Sequence, residues 1–450
     1  MKLARIIYTL LWLLVLPFAI LRLLWRARRE AGYRQHIAER LGFYPPLPPG
    51  NWLWLHAVSV GETRAAQPLI EALLAHSPTL HILLTHMTPG GRHTGEILFS
   101  QYLASRRMQQ AYIPYDIPWL VRRFLRYTRA QLGLLIETEV WPNLIWQARL
   151  QNIPIALINA RMSLRSFERA KRFGHLGHAL FSALPLALAQ TKTDAQRLKQ
   201  LGTTKVQVCG NIKFDIHPQA TGISKGIVLR QYLGVQRRIL CAASTREGEE
   251  TLILNAWIAL QKTHAWAHEA LLIIVPRHPQ RAAQLAQESH ARGFTVLLRS
   301  ALPTDISQLT IPIDHASMAT TQILIGDSLG EMWMYYSACD LALIGGSLLP
   351  FGGQNLIEAC ALGKPVLLGP HVFNFSQASE DAKQCGAAVQ IPSIDNQALV
   401  THIAELLNDT ARLAQMGAAG VQFAQAHRGA TQRTMDAIIP LLKITPSQSK

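Results

Sequence analysis

Cysteine is scarce and scattered in this 450-residue chain. The five cysteines form no C-x-x-C pair, and no histidine lies near them at the spacing of zinc ligands. The pattern excludes a disulfide framework and a cysteine-based zinc site, because both need cysteines at defined separations. It indicates a protein of a reducing compartment. The cysteines are Cys209, Cys241, Cys339, Cys360 and Cys385.

Acidic residues are also few, since 28 Asp and Glu stand against 44 Lys and Arg and the formal net charge is +16. Residues 1–40 carry eight Lys and Arg and two Glu, which leaves a charge of +10 for the rest of the chain. These basic residues are dispersed and accompany no nucleic-acid motif, so no nucleic-acid partner is expected. The charge instead favours an anionic lipid surface or a phosphorylated substrate.

Metal-ligand patterns are missing as well. The chain contains no Asp-x-Asp, and its first-half histidines His56, His86 and His93 have no carboxylate or cysteine at ligand spacing. Histidine ligands usually act together with such partners. The sequence therefore predicts a protein without a metal.

One long apolar run is present at the N-terminus. Residues 6–21 are uncharged, with Lys2 and Arg5 before them and four arginines between residues 22 and 29. The run is shorter than the roughly 20 residues that span a bilayer, but the flanking arginines can extend it. No small-residue cleavage site follows, which disfavours a removed signal peptide. We predict a single membrane anchor with the body on the cytoplasmic side, and a helix lying in the interface is the alternative.

Apolar strand-like runs alternate with amphipathic stretches along the body, a pattern typical of parallel sheets covered on both faces. Seven runs lie in each half, with a cluster of Gly, Ser and Pro between the halves. This predicts two Rossmann-like domains that face a cleft. The predicted division is an anchor at 1–29, a first domain at 30–217, a linker at 218–226, a second domain at 227–425 and a C-terminal helix and tail at 426–450.

Glu62 is the first candidate for chemistry. It follows the apolar run 52–58 and Gly61, where a strand hands over to a helix. Side chains at such turns project beyond the carboxyl ends of the strands, where open α/β sheets bind ligands. The interpretation is a catalytic base, and the alternative is a first-turn glutamate that complements the helix dipole.

Two further first-half segments carry charged groups at strand ends. Glu137 and Glu139 follow the run 132–138, and Lys213 follows the run 206–210 just before the linker. If the strand order is Rossmann-like, Glu139 and Lys213 face the same cleft as Glu62.

Three second-half segments read as a phosphate and ribose site. Pro276 and Arg277 end a strand with a cation, and glycines precede a helix start that offers free N–H groups to a phosphate. Arg277 could instead be a solvated turn residue, and Asn355 with Glu358 could simply cap their helix. The candidate binding residues are Pro276, Arg277, Leu329, Gly330, Glu331, Asn355, Leu356, Ile357 and Glu358.

These motifs in this order resemble the 3-deoxy-D-manno-octulosonic acid (Kdo) transferases of Gram-negative bacteria. The resemblance rests on Ser59 to Glu62, Glu139 to Asn143, Gly210 to Asp215, Pro276 to Pro279, Gly326 to Glu331 and Asn355 to Glu358. It extends from the N-terminal run to about residue 425. One departure is Gln354, where the family more often has histidine, and it puts one local contact in doubt.

The resemblance implies a GT-B fold and transfer of Kdo from CMP-Kdo to a lipid A precursor, without a metal or other cofactor, at the cytoplasmic face of the inner membrane. It also implies that Glu62 is the base, that Glu139 and Lys213 assist the transition state, and that CMP contacts the second-half residues named above. Two alternatives remain at this stage. One is a membrane-associated GT-B transferase that uses a UDP-sugar, such as lipid A disaccharide synthase. The other is an anchored binding protein that has lost catalysis.

Overall fold

The computed structural model describes residues 2–28, 30–216, 218–306 and 320–442. The chain divides into two compact units. The first unit comprises Met1–Ile216 with the C-terminal segment from His427, and the second unit comprises His217–Ala426.

The first unit contains a parallel sheet of seven strands among its described residues. The strands are β1 Asn51–His56, β2 Leu80–His86, β3 Met108–Tyr112, β4 Leu132–Ile136, β5 Ile155–Ala160, β6 Leu186–Ala189 and β7 Val206–Val208. The helices are α1 Lys2–Arg26, α2 Ile37–Arg40, α3 Val60–His76, α4 Pro89–Leu98, α5 Ser100–Ala104, α6 Pro118–Thr128, α7 Pro142–Leu150, α8 Leu164–Arg172, α9 Gly174–Ser182 and α10 Lys192–Gln200.

The second unit repeats this architecture, again with seven described parallel strands. The strands are β8 Ile239–Thr245, β9 Leu271–Pro276, β10 Val296–Leu298, β11 Ile323–Ile325, β12 Leu341–Ile344, β13 Val366–Leu368 and β14 Ala388–Gln390. The helices are α11 Ala220–Leu233, α12 Glu249–Thr263, α13 Ala282–Ala291, α14 Met332–Ala338, α15 Ile357–Ala361, α16 Ser376–Gln384, α17 Asn396–Asn408 and α18 Thr410–Ala426, and α19 Ala430–Ile438 follows in the first unit.

The strand order places a switch point in each sheet. The orders are β3-β2-β1-β4-β5-β6-β7 and β10-β11-β9-β8-β12-β13-β14, so the connections reverse direction between β1 and β4 and between β8 and β12. Open α/β sheets bind ligands beyond the carboxyl ends of the strands at such points. The predicted α/β class with two Rossmann-like domains of the GT-B type is confirmed.

The central strands are buried on both faces. All five residues of β4 and all six of β9 are buried, because helices cover both sides of each sheet. Strands in that position read as continuous apolar runs rather than as an alternating pattern. All fourteen strand-like runs of the sequence overlap strands, and burial on both faces explains why the central ones were recognisable.

The predicted linker at 218–226 is wrong from residue 220 onward, because α11 begins at Ala220. Its glycines permit close helix packing rather than flexibility. A Cβ on Gly222 would lie 2.6 Å from the Cβ of Trp333, and one on Gly226 would lie 2.4 Å from the Cβ of Ser337, both on α14. Glycines that read as a loop in the sequence are therefore packing positions between two helices.

The N-terminal run forms α1, whose segment Arg5–Arg26 is long and apolar enough to cross a membrane. The C-terminal end of the described chain returns to the first unit, where Met435 and Ile438 of α19 join the core beneath α3. The segment beyond residue 442, part of the predicted tail, lies outside the described residues.

Candidate active site

Glu62 occupies the third position of α3, directly beyond the carboxyl end of β1. Its Oε2 accepts a hydrogen bond of 2.7 Å from the backbone N–H of Val58, and the hydroxyl of Ser59 lies 3.5 Å from Oε1. A glutamate at this position commonly reaches back to the residues that precede its helix. The carboxylate is thus held in one orientation at the switch point of the first sheet.

The electrostatic surroundings of Glu62 favour its protonated form. Burial is the largest cause, and the carboxylates of Glu137 and Glu139 add to it, so that the pKa rises to about 8. The Val58 N–H and the Lys213 ammonium act in the opposite direction. The raised pKa gives Glu62 a higher proton affinity than an ordinary surface glutamate has.

Lys213 forms an ion pair with Glu137. Its Nζ lies 2.7 Å from Glu137 Oε1, and both side chains are largely buried. Glu137 follows β4 with a φ of 62°, a left-handed conformation that residues other than glycine rarely adopt. Strain of this kind persists only where the surrounding structure holds the residue in place.

Glu139 lies on the same turn after β4. Its Oε2 accepts a 2.9 Å hydrogen bond from the indole Nε1 of Trp141. Burial raises the pKa of Glu139, with a smaller contribution from Glu137, while the indole opposes the shift. The structure therefore brings Glu62, Glu139 and Lys213 together, with Glu137 as a fourth member.

The segment that carries Lys213 is held from two sides. The N–H of Ile212 donates to the buried Oδ1 of Asn159 at the end of β5. Asp215 accepts from the N–H of Gly429, at 2.6 Å, and from that of Thr431 at the start of α19. The returning C-terminal segment consequently fixes the position of the lysine.

The histidines His56 and His86 do not approach these carboxylates as a cluster of ligands. His56 Nδ1 lies 2.9 Å from Thr85 Oγ1, and burial lowers the pKa of this histidine to about 3. His86 Nδ1 lies 3.0 Å from the carbonyl of Ala57, and burial lowers its pKa to about 4. Both are neutral core residues at physiological pH.

Replacing Glu137 with glutamine tests this electrostatic arrangement. The change removes a carboxylate that raises the pKa of Glu62 and releases Lys213, a cation that lowers it. Both effects lower the pKa of Glu62, so the rising limb of the pH profile of kcat/KM should move from near pH 8 to lower pH. The exposed Glu168→Gln is the matched control and should leave the limb in place. A limb that stays or moves upward in Glu137→Gln would show that Glu137 does not act on the titrating group.

In the second unit, a buried glutamate that the sequence analysis missed organises the loop after β12. Glu249 is 0% exposed, and its carboxylate accepts hydrogen bonds from four backbone N–H groups. The donors and lengths are Arg246 at 2.8 Å, Gly346 at 2.6 Å, Leu348 at 2.8 Å and Leu349 at 3.3 Å. The sequence feature that could have identified Glu249 is its position beyond β8, a strand-to-helix junction equivalent to that of Glu62 in the first unit.

The turn after β12 lies against the end of β8. A Cβ on Gly345 would lie 2.5 Å from the carbonyl oxygen of Ser244, so no larger residue fits there. Gly353 donates to the carbonyl of Gly346 at 2.7 Å, which connects this turn to the segment before α15. The glycines therefore allow backbone to approach backbone at the carboxyl edge of the second sheet.

Cations surround the end of β9. The N–H of Arg277 donates to the carbonyl of Thr245 at 2.9 Å, and the guanidinium of Arg246 lies 4.8 Å from the ring centroid of Phe351. Burial, followed by Arg246, Arg277 and Arg281, lowers the pKa of His278. This edge of the sheet suits an anion, and Arg246 is a second residue that the sequence analysis missed.

The remaining predicted binding residues lie along the same edge. Leu329 is exposed and Gly330 has a φ of 85°, while Glu331 forms an ion pair of 2.9 Å with Arg299. Asn355 accepts from the N–H of Ile357 at 3.1 Å and donates to Glu358 Oε1 at 3.1 Å. Leu356 and Ile357 are buried, with Leu356 preceding the short helix α15. The ends of β9, β11 and β12 thus bring the predicted second-domain residues to one edge.

Sequence comparisons identify relatives over nearly the whole chain. A family model described as 3-deoxy-D-manno-octulosonic-acid transferase (kdotransferase) matches residues 35–216. The 3-deoxy-D-manno-octulosonic acid transferase of Bordetella pertussis is 42% identical over 441 residues, which cover 96% of this chain and 98% of the relative. That of Haemophilus influenzae is 34% identical over 446 residues, which cover 98% and 99%.

Solved structures share the fold at low identity. A glycosyltransferase from Rickettsia africae matches with a TM-score of 0.57 and 11% identity, covering 88% of this chain and 100% of its own. A UDP-GlcNAc 2-epimerase from Neisseria meningitidis bound to UDP-GlcNAc matches with a TM-score of 0.54 and 14% identity, covering 87% and 100%.

Proposed function

The chain belongs to the 3-deoxy-D-manno-octulosonic acid (Kdo) transferase family of glycosyltransferases, and on that premise we propose that it transfers Kdo from CMP-Kdo to a lipid A precursor with inversion, Glu62 acting as the base. The observation that supports this most directly is the half-buried Glu62 beyond β1, whose pKa is about 8. Such a group takes a proton from a hydroxyl more readily than an ordinary surface glutamate.

The proposed reaction is a single displacement. The acceptor hydroxyl oxygen forms a bond to the anomeric carbon of Kdo as its proton passes to Glu62, and the bond from that carbon to the CMP phosphate breaks. Positive charge builds on the sugar ring in an oxocarbenium-like transition state. Glu139, held by the Trp141 indole, is proposed to face that charge. Lys213, oriented by Glu137, is proposed to stabilise the negative charge that develops as transfer proceeds.

The donor is proposed to bind the second unit. CMP-Kdo carries one phosphate and one sugar carboxylate, and the end of β9 offers Arg277 with Arg246 nearby. Glu358, oriented by Asn355, is proposed to accept hydrogen bonds from the ribose hydroxyls. The segment Leu329 to Glu331 is proposed to contact the base or ribose, with Glu331 fixed by Arg299.

The test is the product formed in the presence of a chelator. The enzyme, CMP-Kdo and a tetraacyl lipid A precursor are incubated in excess EDTA, and the lipid is examined by mass spectrometry. A lipid heavier by Kdo is expected, because arginine, lysine and backbone N–H groups can balance a single phosphate without a divalent cation.

Two other results would contradict the proposal in different ways. Activity that EDTA abolishes and magnesium or manganese restores would show that protein cations alone do not balance the phosphate. Transfer from a UDP-sugar in a parallel reaction, with none from CMP-Kdo, would favour a different donor and with it a different acceptor chemistry.

A further inference from the structure

The helix α1 has two distinct faces from Arg5 onward. One face is buried or half-buried, and the opposite face is exposed and apolar. The protected residues follow helical spacing and are Arg5, Tyr8, Thr9, Trp12, Leu16, Ala19, Ile20, Leu23 and Ala27. On the other face Leu14 is 68% exposed, Phe18 67% and Leu21 61%.

Polar contacts fasten the N-terminal half of α1 to the first unit. The hydroxyl of Tyr8 donates to the buried Oδ2 of Asp116 at 2.9 Å and accepts from the indole of Trp12 at 2.8 Å. The guanidinium of Arg5 lies 4.0 Å from the ring centroid of Trp146 on α7. A single helix that crosses a bilayer would be surrounded by lipid and would not form such contacts with a body outside the membrane.

Asp116 bonds to the backbone of the first unit as well as to α1. Its two carboxylate oxygens accept from the backbone N–H groups of Asn143 and Leu144, at 3.0 and 2.8 Å, and so hold the first turn of α7. The amide of Asn143 also lies 3.4 Å from the hydroxyl of Thr9. We call the group formed by Tyr8, Thr9 and Trp12 of α1 together with Asp116 and Asn143 the clasp. The clasp joins α1 to residues that are fixed within the first unit.

The C-terminal end of α1 is held to the same unit. Leu23 and Ala27 are only 8% and 6% exposed. Five residues beyond Ala27, a Cβ on Gly32 would lie 2.7 Å from the Cβ of Pro89 at the start of α4. The chain is thus back on the body immediately after the helix ends.

Both ends of α1 consequently lie against one body. Tyr8 and Ala27 are separated by about 28 Å along the helix axis, at 1.5 Å per residue, which is close to the roughly 30 Å hydrocarbon thickness of a bilayer. If α1 crossed the membrane, the first unit would have to follow it. The exposed arginines Arg122 and Arg123, on the helix that begins two residues after Asp116, would then enter hydrocarbon. Charged side chains exposed to hydrocarbon are strongly unfavourable.

We propose that α1 does not span the membrane and instead lies on the bilayer surface, with its clasped face on the first unit and its apolar face in lipid. Arg22 and Arg26 lie on the exposed side beside this apolar face, which suits the headgroups of an anionic leaflet. The proposal concerns attachment and does not depend on the donor or the acceptor.

The first experiment determines the membrane side of each end of the chain. Hydrophilic epitopes are fused before Met1 and after Lys450, and protease is added to sealed inner-membrane vesicles of one orientation. We expect both epitopes to be digested, or both protected, because the two ends lie on one side. Digestion of one with protection of the other would show a spanning helix and overturn the proposal.

The second experiment identifies what covers the apolar face. Leu14→Glu should weaken binding to vesicles of equal parts phosphatidylglycerol and phosphatidylcholine by roughly tenfold or more, since the variant removes one lipid-buried leucine and places a charge there. The melting temperature should not change, because Leu14 faces away from the body. Val235→Glu, at an apolar position of the second unit that is 59% exposed, is the matched control. Unchanged vesicle binding would overturn the proposal, and dissociation of a dimer in place of lost binding would assign this face to a second copy of the chain.

Discussion

Replacing Glu62 with glutamine is expected to slow transfer by roughly 10²–10⁴-fold, the usual contribution of a general base. The amide oxygen of glutamine can still accept from the N–H of Val58, so the start of α3 should survive. What the variant loses is a proton acceptor whose pKa, about 8, is suited to a hydroxyl. The measurements are kcat and kcat/KM across pH, together with the free energy of unfolding. The rise in activity toward pH 8 should disappear with the carboxylate.

Two variants separate this role from structural ones. Glu71→Gln is the matched control, because it makes the same change on the same helix. It should behave like the unaltered enzyme. Glu358→Gln should show the converse pattern, with weaker CMP binding but a largely intact rate at saturation, because Glu358 is proposed to contact the ribose. If Glu62→Gln turned over normally but was less stable, Glu62 would be a helix-start residue. The base would then be sought at Glu137 or Glu139.

The fold could be predicted from sequence because its central strands are buried on both faces. Such strands are short, continuous apolar runs, and β4 and β9 are clear examples. The linker could not be placed, because a glycine in a sequence is compatible both with a loop and with close packing between helices. Gly222 and Gly226 serve the second purpose against Trp333 and Ser337.

The candidate site shows a similar division. The positions of Glu62, Glu139 and Lys213 beyond strand ends were readable, because the carboxyl ends of parallel strands share one edge of a sheet. The ion-pair partner of Lys213 could not be predicted from the sequence. Lys213 pairs with Glu137, 76 residues away, from a left-handed turn that the sequence does not indicate. Role assignments for these residues remain predictions until the variants are measured.

Replacing Glu249 with alanine should lower the stability of the second unit on the order of 3 kcal/mol, because four backbone N–H groups lose a buried charged acceptor at once. Three of those groups belong to the turn after β12, which Gly353 connects to the segment before Asn355 and Glu358. CMP affinity should therefore fall by tenfold or more, since each 1.4 kcal/mol spent on reordering the turn corresponds to a factor of ten.

Urea unfolding and calorimetric titration with CMP measure these two effects of Glu249→Ala. The neighbouring Glu247→Ala is the matched control, because Glu247 is exposed and lies two residues from Glu249 on the same turn. It should change neither quantity appreciably. Glu249→Gln should fall between the two, since one amide oxygen can replace only part of the carboxylate's acceptor capacity. Should Glu249→Ala bind CMP as tightly as the unaltered chain, the turn after β12 would be positioned by its own glycine contacts, and the proposed route from Glu249 to the donor site would be wrong.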